Sequence, residues 1–193
     1  MNKILKKRQL SENVNEYVVQ APEVAKHARP GQFIILRVDE NGERVPFTIA
    51  DIDNVEGTIT ILVQTIGMTT YKLSLLKEGD FIHDFVGPLG NPTDLNDYKN
   101  IVLVGGGIGS AVIYPQAKYR HQNGLQCDVI VGARTKNLLV YENEFKANSD
   151  NLYIVTDDGS YVEKGFVTNK LEALIQQGKN YDCVFAVGPV MMM

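Results

Sequence analysis

Residues 101–124 read IVLVGGGIGSAVIYPQAKYRHQNG, and this stretch decides the fold. Ile101 to Val104 are apolar without alternation, the mark of a strand buried on both faces. Gly105, Gly106, Gly107 and Gly109 follow, and the run SAVIYPQAKYRHQ then reads as a helix stopped by Asn123-Gly124. Glycines between a buried strand and a helix let the backbone approach a pyrophosphate. The helix N-terminus adds unpaired N–H groups and a partial positive charge. Two stricter patterns are not met. Counting from Gly105, Ser110 stands where the third glycine of GxGxxG would be, and no Gly-Lys-Ser/Thr follows. The alternative is a tight turn that merely needs glycine.

Toward the C-terminus the same grammar repeats. QCDVIVGAR, NLYIVTDDG and YDCVFAVGP are apolar strands, and NLLVYENEFKANS and VTNKLEALIQQGK are helical stretches between them. Strand and helix alternating at this interval predict an open parallel sheet covered on both faces. Ligands of such sheets bind beyond the carboxyl ends of the strands. The loops GART, TDDGS and VGPVM sit at those ends, so Arg134, Asp157, Gly188 and Pro189 are candidates for cofactor contact. Arg134 and Lys136 suit a ribose phosphate, or are solvated loop charges. Asp157 and Asp158 are carboxylates in a cleft, or good turn chemistry.

Toward the N-terminus the grammar differs. EYVVQAP, QFIILRVD, VPFTIADI, GTITILVQTIG and DFIHDFVGP are short strands rich in Val, Ile, Phe and Thr, separated by the turns RPGQ, ENGE and NVEGT. Strands at this spacing predict a small antiparallel β-barrel. One helix interrupts them, in residues 69–80, with Gly79 as its stop. The expected organisation is a barrel over residues 1–97 and an α/β domain over 98–193.

Composition narrows the function. A net charge of −4 gives no footprint for nucleic acid, and the cluster Lys3, Lys6, Lys7 and Arg8 reads as a solvated strand end. No stretch approaches the ~20 apolar residues of a membrane span, and the basic start lacks the apolar run of a signal peptide. Cys127 and Cys183 lie in β-like apolar runs and read as buried free thiols, which fits a reducing cytoplasm. Three scattered histidines and no CxxC spacing predict no metal site made by protein ligands.

The order and spacing of PGQFIILRV, ERVPFTIAD, GMTTYKLSLLKEGD, GPLGNP, VGGGIGSAVIYPQA and TDDGSYVEKGFVT carry a resemblance from end to end. The chain resembles the ferredoxin-NADP reductase superfamily, in the branch of flavin-carrying electron-transfer subunits. That branch includes the alpha subunit of NADH-dependent ferredoxin-NADP oxidoreductase and the electron-transfer subunit of dihydroorotate dehydrogenase. The resemblance implies FAD on the barrel, with Pro46 and Phe47 against the flavin ring and Thr48 near its N5. The branch's usual arginine, three residues before that hydroxyl, is Val45 here, with Arg44 one place earlier. Gly67, Thr69 and Thr70 are implied at the FAD pyrophosphate. Gly105, Gly106, Gly107, Ile108 and Gly109 are implied at the pyrophosphate of NAD(P)H, with Gly188-Pro189 on the nicotinamide side, without the cysteine usual there.

The implied activity is hydride transfer from NAD(P)H to FAD, then single-electron release to an iron–sulfur partner, either a large iron–sulfur/flavin subunit or ferredoxin, in a hetero-oligomer. No protein acid, base or nucleophile is required for it. Subunits of this branch continue into a cysteine-rich segment that ligates a [2Fe–2S] cluster, so the sequence is expected to be C-terminally truncated. The alternatives are the dihydroorotate dehydrogenase electron-transfer role, or a nucleotide-binding regulatory module without turnover.

Overall fold

The structure is a computed structural model that describes residues 2–193. It divides into two units, one ending at Thr93 and the other running from Asp94 to Met193.

The first unit is a nearly closed antiparallel barrel. Its strands are β1 (Asn2–Ser11), β2 (Val14–Gln20), β3 (Phe33–Arg37), β4 (Val45–Asp53), β5 (Thr58–Gln64), β6 (Phe81–Ile82) and β7 (Asp84–Leu89), in the spatial order β6-β1-β2-β5-β4-β3-β7. Two helices join them, α1 (Pro22–His27) and α2 (Met68–Leu75). Strand β4 does double duty. Val45 to Thr48 pair with β3, a bulge falls at Ala50, and Asp51 to Asp53 pair with β5. A bulge bends a strand and increases its twist, which is how a sheet turns the corner of a barrel. Ile4, Tyr17, Ile34, Leu36, Ile49, Ile59, Ile61, Leu73 and Ile82 have no exposed surface and fill the interior. Each such aliphatic side chain contributes roughly 1.5–3 kcal/mol on burial.

The second unit holds β8 (Ile101–Gly106), α3 (Ser110–Gln122), β9 (Cys127–Ala133), α4 (Glu142–Ala147), β10 (Asn151–Thr156), β11 (Glu163–Lys164), α5 (Val167–Gln176) and β12 (Cys183–Val187). All strand pairs are parallel, in the order β11-β10-β9-β8-β12. The chain winds outward from β8 through β9 and β10, then returns to place β12 on the other side of β8. The strand order therefore reverses between β8 and β12. Strands β8 and β9 are buried at every residue, as their unbroken apolar runs require.

The barrel and the parallel sheet follow the expected fold class. Several local elements differ. The helix expected in residues 69–80 ends at Leu75, where Leu76 is already extended, and Gly79 instead makes a left-handed turn whose amide bonds to Ile4. The stretch NLLVYENEFKANS is not one helix: a short 3-10 turn (Lys136–Leu138) and an extended Leu139 precede α4. DFIHDFVGP is broken at His83 into β6 and β7. The end of EYVVQAP starts α1, with Pro22 in its first turn, where proline's missing N–H costs nothing. Cys127 is buried, but Cys183 is only half-buried because β12 is an edge strand.

Candidate functional site

The register of β4, β3 and β7 sorts their side chains onto two faces. Ile34 opposes Phe47 and Leu36 opposes Val45, with Ile34 and Leu36 fully buried, so these face the barrel interior. With a side-chain period of two, Phe33, Ile35 and Arg37 point outward, opposite Thr48, Pro46 and the residue before Val45, which is Arg44. On the other side Ile35 opposes Val86 and Arg37 opposes Asp84. Pro46 and Val86 are exposed. The outcome is a largely apolar outer face made by Pro46, Thr48, Ile35 and Val86, with charge gathered at one end. Phe47 lies on the other side of the strand, half-buried against the barrel core.

The charged end is a network on one carboxylate. Arg37 Nε lies 2.7 Å from Asp84 Oδ2, Arg44 Nη2 lies 3.2 Å from the same oxygen, and His83 Nδ1 lies 3.0 Å from Oδ1. Hydrogen bonds from His83 and Arg37 hold the Asp84 carboxyl below the usual carboxylate range. Arg44 keeps 62% of its side chain exposed, so it is paired without being enclosed. Lys72 of α2 bonds to Asp39 at 2.8 Å, tying that helix to the connection that carries Arg44.

Helix α2 is held at both ends. At its start Thr70 Oγ1 accepts hydrogen bonds from the amides of Ile66 and Gly67, both at 3.0 Å, and the hydroxyl donates to Gly67 O at 2.9 Å. At its end Tyr17 donates to Leu73 O, and Lys7 Nζ donates to the carbonyls of Ser74 and Leu76. Thr70 is buried and its hydroxyl is committed to the turn, whereas Gly67 opens onto free space in the direction its missing side chain would take. First-turn amides of a helix have no partner within it. Those of Met68, Thr69 and Thr70 have no other backbone partner among the described residues.

In the α/β unit the four glycines do different things. A Cβ on Gly105 would meet Ser110 Oγ and Ile113 Cδ1 at 2.9 Å, so that glycine lets α3 start against β8. A Cβ on Gly109 would lie 2.4 Å from Val187 O, and one on Gly106 would lie 2.6 Å from Met192 Sδ and 3.1 Å from Pro189 Cδ. Gly107 alone has a left-handed backbone (φ 56°) and open space around it, next to the exposed Ile108. Gly188 and Pro189 thus sit against the glycine loop, at the point where the strand order reverses. That is the expected ligand crevice of an open parallel sheet.

The remaining loops stand at the same carboxyl edge. Asp157 and Asp158 donate their amides to Ala133 O and Arg134 O, joining the loop after β10 to the one after β9. Asp158 is used by its own turn: Oδ1 accepts from Ser160 N at 2.9 Å, and the bonds from Ser160 hold its carboxyl below the usual range. Asp157 and Arg134 are exposed. Lys136 lies over the Tyr161 ring, 4.4 Å from its centre, and Tyr161 donates to Glu142. Sequence reasoning missed Arg37, His83, Asp84 and Met192. Parity along β4 could have put Arg44 on the face of Thr48, but a partner 40 residues away leaves no local signal.

A family described as the oxidoreductase FAD-binding domain matches residues 2–93. A Thermotoga maritima protein named dihydroorotate dehydrogenase B (NAD(+)), electron transfer subunit homolog, is 47% identical over 193 residues, covering 100% of this chain and 68% of that one. The dihydroorotate dehydrogenase B electron transfer subunit of Fusobacterium nucleatum is 34% identical over 194 residues, with 96% and 73% covered. Among solved structures, a chain of the NADH-dependent reduced ferredoxin-NADP oxidoreductase superposes with a TM-score of 0.90 at 44% identity, covering 100% of this chain and 69% of that one.

Proposed function

The chain belongs to the family of FAD-binding electron-transfer subunits that includes those of dihydroorotate dehydrogenase B, and from that premise we propose how its residues serve an NAD(P)H-dependent flavin oxidoreductase. The barrel residues fit a flavin. The outer face of Pro46, Thr48, Ile35 and Val86 offers an apolar surface with one hydroxyl to a planar ring. Its charged end offers Arg44 to a pyrophosphate, and the start of α2 offers the amides of Met68, Thr69 and Thr70. The α/β unit fits a nicotinamide dinucleotide: Gly107 leaves the backbone open in front of the α3 N-terminus, and Gly188-Pro189 form the adjoining wall.

When bound, FAD supplies the chemistry, accepting a hydride from NAD(P)H and releasing electrons one at a time. The protein's own part is positional. Pro46 and Thr48 orient the ring, Arg44 and the α2 amides fix the phosphates, and the glycine loop with Val187-Gly188-Pro189 shapes the second nucleotide site. Arg134 and Asp157 stand at the edge of that second site, where a ribose would lie. The electron acceptor is an iron–sulfur protein, either a large subunit in a hetero-oligomer or ferredoxin. The 44% identity to a chain of the ferredoxin-NADP oxidoreductase and the 47% identity to the dihydroorotate dehydrogenase B electron transfer subunit homolog support both roles alike. The two free cysteines support a reducing, cytoplasmic setting.

The observation that carries this function is the shared outer face of Arg44, Pro46 and Thr48. An anaerobic visible spectrum of the FAD-reconstituted protein, followed by stepwise NADH, tests it. Flavin bands that bleach in proportion to NADH are expected. Failure to take up FAD at all overturns it.

A further inference from the structure

The arrangement of the two barrel arginines has a consequence for cofactor loading. Arg37 and Arg44 follow the last pair between β3 and β4, Leu36 opposite Val45, and bring two like charges to one place, an arrangement that is destabilising on its own. Asp84 relieves this by meeting both at one oxygen. Arg44, however, is also the cation offered to a pyrophosphate. An anion entering beside Arg44 finds a carboxylate already there, its charge secured by His83 and Arg37.

The geometry points to Asp84 as an internal anion that stands in for the flavin pyrophosphate on Arg44, so that FAD loading exchanges carboxylate for phosphate. This rests on the proposed flavin site. Three features of the network favour exchange over a fixed clamp. Arg44 meets Asp84 through a single 3.2 Å hydrogen bond, whereas Arg37 Nε at 2.7 Å and His83 Nδ1 at 3.0 Å also face the carboxylate, so Asp84 keeps two partners when Arg44 turns away. The Arg44 side chain is 62% exposed and Asp84 23%, leaving Arg44 room to turn while Asp84 stays with Arg37 and His83. Arg44 also lies at the end of a connection rather than inside a strand, so its backbone is less constrained than that of Arg37. Asp84 thereby keeps the arginine pair ordered before FAD arrives, at the expense of repelling the phosphates once it does.

Removing the charge separates these two effects. In Asp84→Asn, FAD should bind about fivefold more tightly, the scale of one unit-charge contact near 4 Å in a largely aqueous setting. Thermal stability of the flavin-free protein should fall at the same time. Riboflavin, which has the ring and no phosphate, should bind as it does to the wild type. In an Arg44→Gln background the gain from Asp84→Asn should disappear. The measurement is quenching of flavin fluorescence, with far-UV circular dichroism to verify folding, and Asp84→Ser as the second variant should Asp84→Asn not fold. Unchanged or weaker FAD binding overturns the inference, as does an equal gain for riboflavin or a gain that persists without Arg44. Those results leave the flavin site standing. A wild-type protein that takes up neither flavin refutes the site itself, and the exchange with it.

Discussion

Substituting Gly109 by alanine tests whether the second nucleotide site depends on contact between the glycine loop and the end of β12. The backbone of Gly109 is right-handed helical (φ −58°, ψ −20°), so alanine fits its conformation and should gain roughly 0.5–1 kcal/mol from reduced chain entropy. Against that stands a Cβ placed 2.4 Å from Val187 O and 2.9 Å from Val187 C. Ordinary contact needs about 1 Å more, and both partners are main chain, so no side chain can swing away. Overpacking of this kind costs about 1–3 kcal/mol, and the net loss should be about 1–2 kcal/mol. For a unit of this size that lowers the melting temperature by roughly 5–10 °C. The function should suffer more than the stability, because the displaced segment is Val187-Gly188-Pro189. A misplacement near 1 Å slows a positioned reaction by up to about a hundredfold. Rapid-mixing reduction by NADH should therefore slow by tenfold or more, while flavin content, set by the barrel, is kept. Wild-type melting and wild-type reduction rates in this variant would refute the contact as a determinant of the site.

Further outcomes follow from other residues. Arg120→Met removes the donors to the carbonyls of Leu95, Tyr98, Lys99 and Gln126 from a side chain only 1% exposed, and should cost about 3 kcal/mol in a urea titration. Thr70→Val leaves the amides of Ile66 and Gly67 without their acceptor, and should cost about 1 kcal/mol and loosen FAD in an equilibrium dialysis. Burial of Asp128 raises its pKa, but bonds from Asn151, Tyr181 and Lys179 outweigh this and hold it below the ordinary value. A carboxyl lowered in the folded state stabilises above its unfolded pKa of about 3.9 and loses that contribution as pH falls through the folded one. Unfolding of the α/β unit should therefore ease below about pH 4, and Asp128→Asn should flatten that limb of the stability profile.

The parallel sheet was legible because β8 and β9 are apolar at every position, and few other arrangements bury a strand on both faces. The barrel was legible from the spacing of its turns. Short elements were not. Helix α1 has six residues, too few to show a period, and its only local sign was Pro22. Tyr141 takes a left-handed backbone at φ 64° where helix had been expected, because its ring packs 4.9 Å from that of Tyr114, a tertiary contact invisible in the local pattern. In the candidate site the glycine loop and its neighbouring turn could be read directly. The tie between Arg44 and Asp84 could not, since it exists only once β3 lies between them.

Strand β1 pairs locally with β2, but its other edge waits for Phe81 and Ile82, and Lys7 waits for the carbonyls of Ser74 and Leu76. A chain leaving the ribosome from its N-terminus therefore carries a half-finished strand through the synthesis of some seventy residues. An unpaired edge invites pairing with other chains, and lysines on it discourage that. Lys3, Lys6, Lys7 and Arg8 all lie on this strand. Until Phe81 and Ile82 are made, the edge left open thus carries the kind of side chain that disfavours pairing with a second copy.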